Sequence, residues 1–453
     1  MKYIIILADG AADEPIASLG DITPLQAANK PNIDRIAREG INGRLVTVPE
    51  GYNPGSEIAH LGLLGYDVAK VFEGRGSLEA ASMQIDIEDN EVAMRCNVIC
   101  LDGEKIKNHS SGNISNQEAE ELILFLNKEV GGSYIDIKGK PVIAPAKELD
   151  DNGIPTLAAN GEPAIVRFYP GVSYRHLLKI RGGNKHVICT PPHDEIGKPW
   201  CNFMPHPEAT PNKENTTYST VETSALIAAL MLKSMEILPS HPVNKKRAAE
   251  GKDMANSIWP WSLGYRPSME PLTMLFPDKV KSGAVISAVD LIFGIGVYCG
   301  LDKIEVQGAT GLWDTNYEGK CNAAINALRE KDFVFLHVEA TDEAGHDGEP
   351  KLKKQCIEYL DSRCVGPILD EISKWKEPVR VAILPDHPTP IKYRTHTMTP
   401  VPFAIWQNHD AKNSDCESNN IVPDSVQTFD EVACFDGNLG LLEKDQFIRK
   451  FLE

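Results

Sequence analysis

Asp342 and His346 stand four residues apart, directly after the apolar run FVFLHVE at 333–339. On a helix starting there, positions i and i+4 share one face, so a carboxylate and an imidazole can reach one divalent ion. The same spacing suits a helix-capping aspartate beside a solvent-facing histidine, and the pair alone leaves both readings open. A second group follows the run VRVAIL at 379–384. Asp386 and His387 are adjacent there, and His396 comes nine residues later within Arg394-Thr-His-Thr. A lone histidine like His396 is more often a hydrogen-bonding surface residue than a ligand. Asp9, which ends the first apolar run of the chain, adds a third carboxylate. Jointly these residues offer the oxygen and nitrogen donors of a dinuclear site, and such a set suits Mn²⁺ or Zn²⁺ better than Mg²⁺.

Ser56 lies in the turn Asn53-Pro-Gly-Ser-Glu-Ile-Ala-His60, which leads into a helical pattern. At a helix N-terminus the macrodipole favours an alkoxide, and free N–H groups can bind phosphate. A plain N-cap serine reads the same way. Coordination to a metal would lower the hydroxyl pKa and make Ser56 a nucleophile at neutral pH. The chain has no Gly-x-Ser-x-Gly elbow, no G-x-x-x-x-G-K-[ST] phosphate loop and no G-x-G-x-x-G after the first strand. Any nucleotide would therefore use an unmarked site.

The elements that position these residues are read from hydrophobic pattern. Apolar runs at 3–7, 284–293, 333–339 and 379–384 read as buried parallel strands, and three of them end in the candidate donors. Helical patterns at Pro31–Arg38, Cys321–Arg329 and Leu352–Trp375 alternate with them, which predicts an α/β fold with helices on both faces of the sheet. Ligands in such sheets sit beyond the carboxyl ends of the strands. From 77 to 189 the texture changes to MQIDIED, EVAMRCNVICL and PAIVRFY with one helix near Asn116–Lys128, an expected inserted α+β domain. The flanking segments 1–76 and 190–453 form the expected core domain. Residues 190–270, rich in Pro, His and Asn, read as loop-dominated, and the basic NKKR at 244–247 reads as a solvated surface.

A chain of 453 residues is long for one hydrophobic core. Its formal net charge of −18 argues against a broad nucleic-acid footprint and means that a phosphate needs local help from metals or arginines. No run approaches the roughly 20 apolar residues of a membrane span. Ten cysteines without a CxxC pair point to reduced thiols and a cytoplasmic location.

Taken together, the motifs ILADGAADEP, TPLQAANKPNID, PGSEIAHLGLLGYD, GRGSLEAASM, YPGVSYRHLL, GAVISAVDLI and HVEATDEAGHDGE resemble the cofactor-independent phosphoglycerate mutases, in the archaeal-type branch of the alkaline-phosphatase superfamily. The similarity runs along essentially the whole chain. It implies an alkaline-phosphatase-like, mostly parallel sheet sandwiched by helices, with a smaller inserted α+β domain that holds the glycerate. One ion is then held by Asp342, His346 and His396, and the other by Asp9, Ser56, Asp386 and His387. Mn²⁺ is the first choice, with Zn²⁺ or Mg²⁺ as alternatives. The implied reaction carries phosphate from 3-phosphoglycerate to Ser56 and back to the 2-oxygen, without 2,3-bisphosphoglycerate.

Arg75, Arg95 and Arg175 fall in matching motifs, where a guanidinium suits a carboxylate or phosphate and equally suits a structural ion pair. Ser110 and Asn113 are expected substrate contacts from the segment Asn108-His-Ser-Ser-Gly-Asn-Ile-Ser115. Asn113 stands there in place of the family's histidine, with His109 four residues earlier. The family's Asp-His-Ser-Thr-Pro is here Asp386-His-Pro-Thr-Pro390. These departures resemble a sub-branch labelled proposed homoserine kinase, which would keep the metals and Ser56 and use ATP and homoserine. A metal-dependent phosphatase or phosphopentomutase is the third reading. In each case the partner is a small phosphorylated molecule rather than nucleic acid or membrane.

Overall fold

The computed structural model describes residues 1–209, 216–408 and 421–453. They fall into two compact units, one of Met1–Phe72 with Ser268–Glu453 and one of Glu73–Pro267.

The first unit is built on an eight-stranded sheet. Its strand order is Asp302–Ile304, Gly283–Ile286, Phe333–Val338, Lys2–Ala8, Val379–Leu384, Val401–Gln407, Ile41–Val46 and Leu441–Glu443. Only Val401–Gln407 runs against its neighbours, and the other pairings are parallel. The central strands are buried along their whole length, as continuous apolar runs require when helices cover both faces. On one face Ile4, Val334 and Val381 pack with Ile36, Ile357 and Ile368 from the helices at 31–38 and 350–372. On the other, His60 meets Phe335, Gly296 lies against Val285, and Phe451 meets Tyr3. The fold is α/β, as the pattern predicts. The run at 284–293 is a correction: the strand stops at Ile286 and a helix occupies Asp290–Tyr298. Ser287 ends the strand, and the apolar residues beyond it bury a helix instead.

The second unit centres on an antiparallel sheet in the order Ser257–Gly264, Glu91–Asp102, Arg175–Arg181 and Val166–Tyr169, with Lys105–Asn108 paired to the long strand. Helices Asn116–Val130 and Thr220–Ile237 pack on it through Leu122, Leu126, Leu226 and Leu230. Each begins with a capping box, Ser115 with Glu118 and Ser219 with Glu222. This unit runs on to Pro267, whereas the sequence pattern places its end at 189. The segment expected to be loop holds the 18-residue helix Thr220–Ile237, hydrophobic on most sides and so without a clear amphipathic period. MQIDIED, expected as a strand, forms none. Nor is 244–247 simply a solvated surface: Asn244 and Arg247 are buried, with Arg247 paired to Glu118 at 2.8 Å.

Candidate active site

Within the first unit, the sequence-derived donors collect at the carboxyl end of the parallel strands. Asp9 follows Lys2–Ala8, and Asp386 lies two residues beyond Val379–Leu384. Asp342 and His346 are on helix Ala340–Asp347, which opens directly after Phe333–Val338. Ser56 is the first residue of helix Ser56–Leu63, with extended Gly55 at the N-cap. His396 comes from the segment after Pro388, which is held to the first strand's exit by bridges to Ala11 and Ala12. Gly10 makes this convergence possible. Its φ is +62°, and a Cβ there would collide with Asp342 and Thr389.

The donors form two adjoining groups. In one, Asp342 Oδ2 is 3.2 Å from His346 Nε2, Asp342 Oδ1 is 3.5 Å from His396 Nε2, and the two Nε2 atoms are 3.0 Å apart. In the other, His387 Nε2 lies 3.2 Å from Ser56 Oγ, 3.2 Å from Asp386 Oδ2 and 3.8 Å from Asp9 Oδ1. Donor atoms within 4.8 Å of one another also unite Asp9, Asp342 and His387, so Asp342 borders both groups.

The remaining atoms of these side chains are tied down. His346 Nδ1 lies 3.0 Å from the Arg394 carbonyl, His396 Nδ1 3.4 Å from that of Pro54, and His387 Nδ1 3.3 Å from Thr389 Oγ1. All three rings therefore turn Nε2 to the centre, the arrangement that prepares histidine to ligate a metal. Asp386 Oδ1 accepts from the N–H groups of Gly10 and His387, at 3.1 and 2.9 Å. Its Oδ2 and Asp9 Oδ1 are buried and have no hydrogen-bond partner among the described residues. Two orphaned carboxylate oxygens facing imidazole nitrogens fit divalent cations.

The electrostatics agree. Burial, reinforced by the negative charges of Asp386 and Asp342, holds the Asp9 carboxyl well above its ordinary range. Burial also opposes ionisation of Asp342, but hydrogen bonds from His346 and His396 overcome it and hold that carboxyl well below its usual value. The same bond to Asp342 pushes His346 up to about 9. Carboxylates that repel one another in a dry pocket are stabilised by added positive charge.

Several supporting residues are not singled out by the sequence pattern. Thr389 donates its hydroxyl to Asp342, and Thr341 donates to the Asp9 carbonyl. His337, inside a fully buried strand, lies 2.7 Å from Asp9 Oδ2. The sequence signal was there: a histidine within an otherwise apolar six-residue strand needs a buried partner. Lys353 is buried and bonds Asp13 and the carbonyls of Ala12 and Thr389, tying together the two segments that carry Asp9 and Asp386.

The second unit assembles the arginines. Arg95 pairs with Glu79 at 2.8 Å and stacks over Trp261, while Arg175 lies over Tyr174. Burial lowers the Arg95 pKa, and the charges of Arg75 and Arg175 lower it further against the pull of Glu79. The Nε atoms of Arg75, Arg95 and Arg175 are buried without a hydrogen-bond partner among the described residues. His109 joins this cluster beside Tyr174, with ring centroids 5.5 Å apart, and His193 lies 5.3 Å from Trp261. Ser110 is buried, but its hydroxyl bonds Asn108 Oδ1 at 2.8 Å. Asn113 is exposed at a φ of 53°, a left-handed position that asparagine tolerates.

A sheet presenting histidines and carboxylates at its strand ends defines a metal-centred enzyme, and the family model described as "Metalloenzyme superfamily" matches residues 1–430. A 2,3-bisphosphoglycerate-independent phosphoglycerate mutase of Methanosarcina acetivorans is 44% identical over 99% of this chain and 98% of its own length. One of Methanothermobacter thermautotrophicus is 40% identical over 100% and 98%. Among solved structures, the PH0037 protein of Pyrococcus horikoshii is 27% identical with a TM-score of 0.73, covering 99% of this chain and 96% of that one. A cofactor-independent phosphoglycerate mutase of Thermoplasma acidophilum shares the fold at a TM-score of 0.61 and 24% identity, over 100% and 99% of the two chains. The chain belongs to the 2,3-bisphosphoglycerate-independent phosphoglycerate mutase family of the metalloenzyme superfamily.

Proposed function

We propose that this chain interconverts 3-phosphoglycerate and 2-phosphoglycerate through a phosphoserine at Ser56, without 2,3-bisphosphoglycerate. The observation that carries the reading is the place of Ser56 inside the donor cluster, its Oγ 3.2 Å from His387 Nε2. The names of the full-length relatives favour phosphoglycerate over homoserine as substrate.

Asp342, His346 and His396 would hold one divalent ion, and Asp9, Asp386 and His387 with Ser56 the other. When bound, such ions activate a hydroxyl nucleophile and neutralise phosphoryl charge. Mn²⁺ best suits the mixed carboxylate and imidazole donors. Ser56 Oγ attacks phosphorus as the bond to the substrate 3-oxygen breaks, which leaves phosphoserine and glycerate. Attack by the glycerate 2-oxygen then breaks the Ser56 Oγ–P bond and frees the enzyme. Ser56 opens its helix, so the positive end of the dipole favours the phosphoryl oxygens in both steps.

Arg75, Arg95 and Arg175 would bind the anionic substrate. Arg75 and Arg175 lie near enough to Arg95 to lower its pKa, and the buried Nε groups of all three, without a hydrogen-bond partner among the described residues, suit a carboxylate or phosphate. The exposed Asn113 and the internally bonded Ser110 have weaker support as substrate contacts. Among the described residues no helix is long and apolar enough to cross a membrane, and nine cysteines carry free thiols, which supports a cytoplasmic enzyme.

The test is capture of the intermediate. Acid quenching of the Mn²⁺-loaded protein with 3-phosphoglycerate should leave one phosphate on the peptide containing Ser56, read by mass spectrometry. Turnover with phosphate on another residue, or on none, would overturn the assignment.

A further inference from the structure

We infer that His337 is a positioning residue for Asp9, held by Ser287 in the one tautomer that can do this work. The inference rests on the two-ion reading of the site.

Three neighbouring strands bring the parts together. Gly283–Ile286, Phe333–Val338 and Lys2–Ala8 lie side by side in parallel, with Ile286 opposite Leu336 and Leu7 opposite His337. A row of hydrogen bonds crosses them. The Val289 N–H donates to Ser287 Oγ at 3.0 Å. Ser287 Oγ is 2.9 Å from His337 Nδ1, and His337 Nε2 is 2.7 Å from Asp9 Oδ2. Ser287 and His337 are both buried, so each polar atom must find its partner inside the protein.

The direction of the row follows from its ends. With a divalent ion on Oδ1 the Asp9 carboxyl is ionised, and an ionised carboxylate oxygen only accepts, so Nε2 carries the hydrogen and donates to Asp9 Oδ2. Nδ1 of the neutral ring then accepts, and the Ser287 hydroxyl, already accepting from Val289, supplies the donor. The reverse tautomer would set a nitrogen lone pair against a carboxylate oxygen. Lys320, also buried, holds the strand at this point through a 3.1 Å bond to the His337 carbonyl.

The consequence is a division of labour within Asp9. Its Oδ2 is occupied by His337, and its backbone carbonyl by Thr341. Its Oδ1 alone is left without a partner, on the side of His387. The row therefore fixes the carboxylate rotamer and directs one oxygen to the cluster, as outer hydrogen bonds do for ligating carboxylates. Its hydrogen bonds run only through Val289, Ser287, His337 and Asp9 and include none to Asp342, His346 or His396, so its effect should fall chiefly on one of the two ions.

The experiment is Mn²⁺ titration of metal-stripped protein, followed by calorimetry and by the electron paramagnetic resonance of free Mn²⁺. Wild type should bind two ions. His337→Phe removes both bonds and should weaken one ion by about 10- to 100-fold, with the other unchanged. Ser287→Ala, a milder change that spares the fold, should weaken the same ion by about tenfold. His337→Gln retains an N–H donor and should recover part of the affinity. Two ions bound with wild-type affinity by folded His337→Phe and by Ser287→Ala would overturn the positioning role. If His337→Phe does not fold, unchanged affinity in Ser287→Ala is sufficient to overturn it. Fewer than two ions in wild type would overturn the two-ion reading, and this inference with it.

Discussion

His387 presents Nε2 to Ser56 Oγ at 3.2 Å while its ring lies stacked on His396, with centroids 3.8 Å apart. One imidazole thus reaches the proposed nucleophile and packs against a donor of the neighbouring group. This contact joins the two donor groups, and on the two-ion reading it governs what each substitution should do.

Removing the nucleophile should separate chemistry from metal binding. Ser56→Ala should lower kcat on the order of 10³-fold or more, as loss of a nucleophile does elsewhere. Elemental analysis should still find close to the wild-type metal content, because the carboxylate and imidazole donors remain. Substantial turnover by the variant would remove Ser56 from the mechanism.

His396→Ala should act on one ion selectively. Its Nε2 faces Asp342 Oδ1 and His346 Nε2, and it shares no donor contact with Asp9. Metal analysis after dialysis should find one ion depleted and the other kept. Equal retention of both would contradict the assignment of His396.

The metals themselves are open to a simple check. Exhaustive chelation should abolish activity, added Mn²⁺ should restore it, and 2,3-bisphosphoglycerate should have no effect on either state. Full activity in chelated protein would refute the metal-dependent account.

Arg95→Met should chiefly raise KM for phosphoglycerate. A hydrogen bond to a charged group contributes roughly 1.5–3 kcal/mol, so a rise of about 10- to 100-fold is expected. Circular dichroism would show whether losing the Glu79 pair disturbs the fold. An unchanged KM in a folded variant would make Arg95 structural only.

One prediction concerns stability alone. Burial pushes the Glu431 carboxyl up to about 7, opposed by donors from Thr23 and Asp13. Because the folded pKa is raised, this group's contribution is fully present below pH ~4.5, falls as pH rises, and is lost above about 7. Glu431→Gln stays neutral, so denaturant unfolding at pH 8 should show it more stable than wild type by a few kcal/mol, about 1.4 per pKa unit. At pH 4 the two should coincide. Equal stability at both values would contradict the shift.

Much of the first unit is legible in the sequence, because its central strands Lys2–Ala8, Phe333–Val338 and Val379–Leu384 are short apolar runs buried on both faces. Each ends in a polar residue that has no place in a core, which is how Asp9, Asp386 and Asp342 stood out. His337 did not, because a single histidine within FVFLHV leaves the run looking like plain core, and its partners Ser287 and Asp9 are remote in sequence. The second unit was harder. Its helix Thr220–Ile237 is apolar on most sides and lacks the period that marks a surface helix. His193, on the short helix Pro192–Glu195, meets Trp261 of the strand Ser257–Gly264 far along the chain, a contact that local pattern does not encode.

The most direct test of the central claim is ³¹P NMR of the purified, Mn²⁺-loaded protein with 3-phosphoglycerate, free of nucleotide and 2,3-bisphosphoglycerate. The account predicts growth of a 2-phosphoglycerate signal to equilibrium without release of inorganic phosphate. An unchanged spectrum from protein shown to carry both ions, or a spectrum that yields only free phosphate, would contradict it.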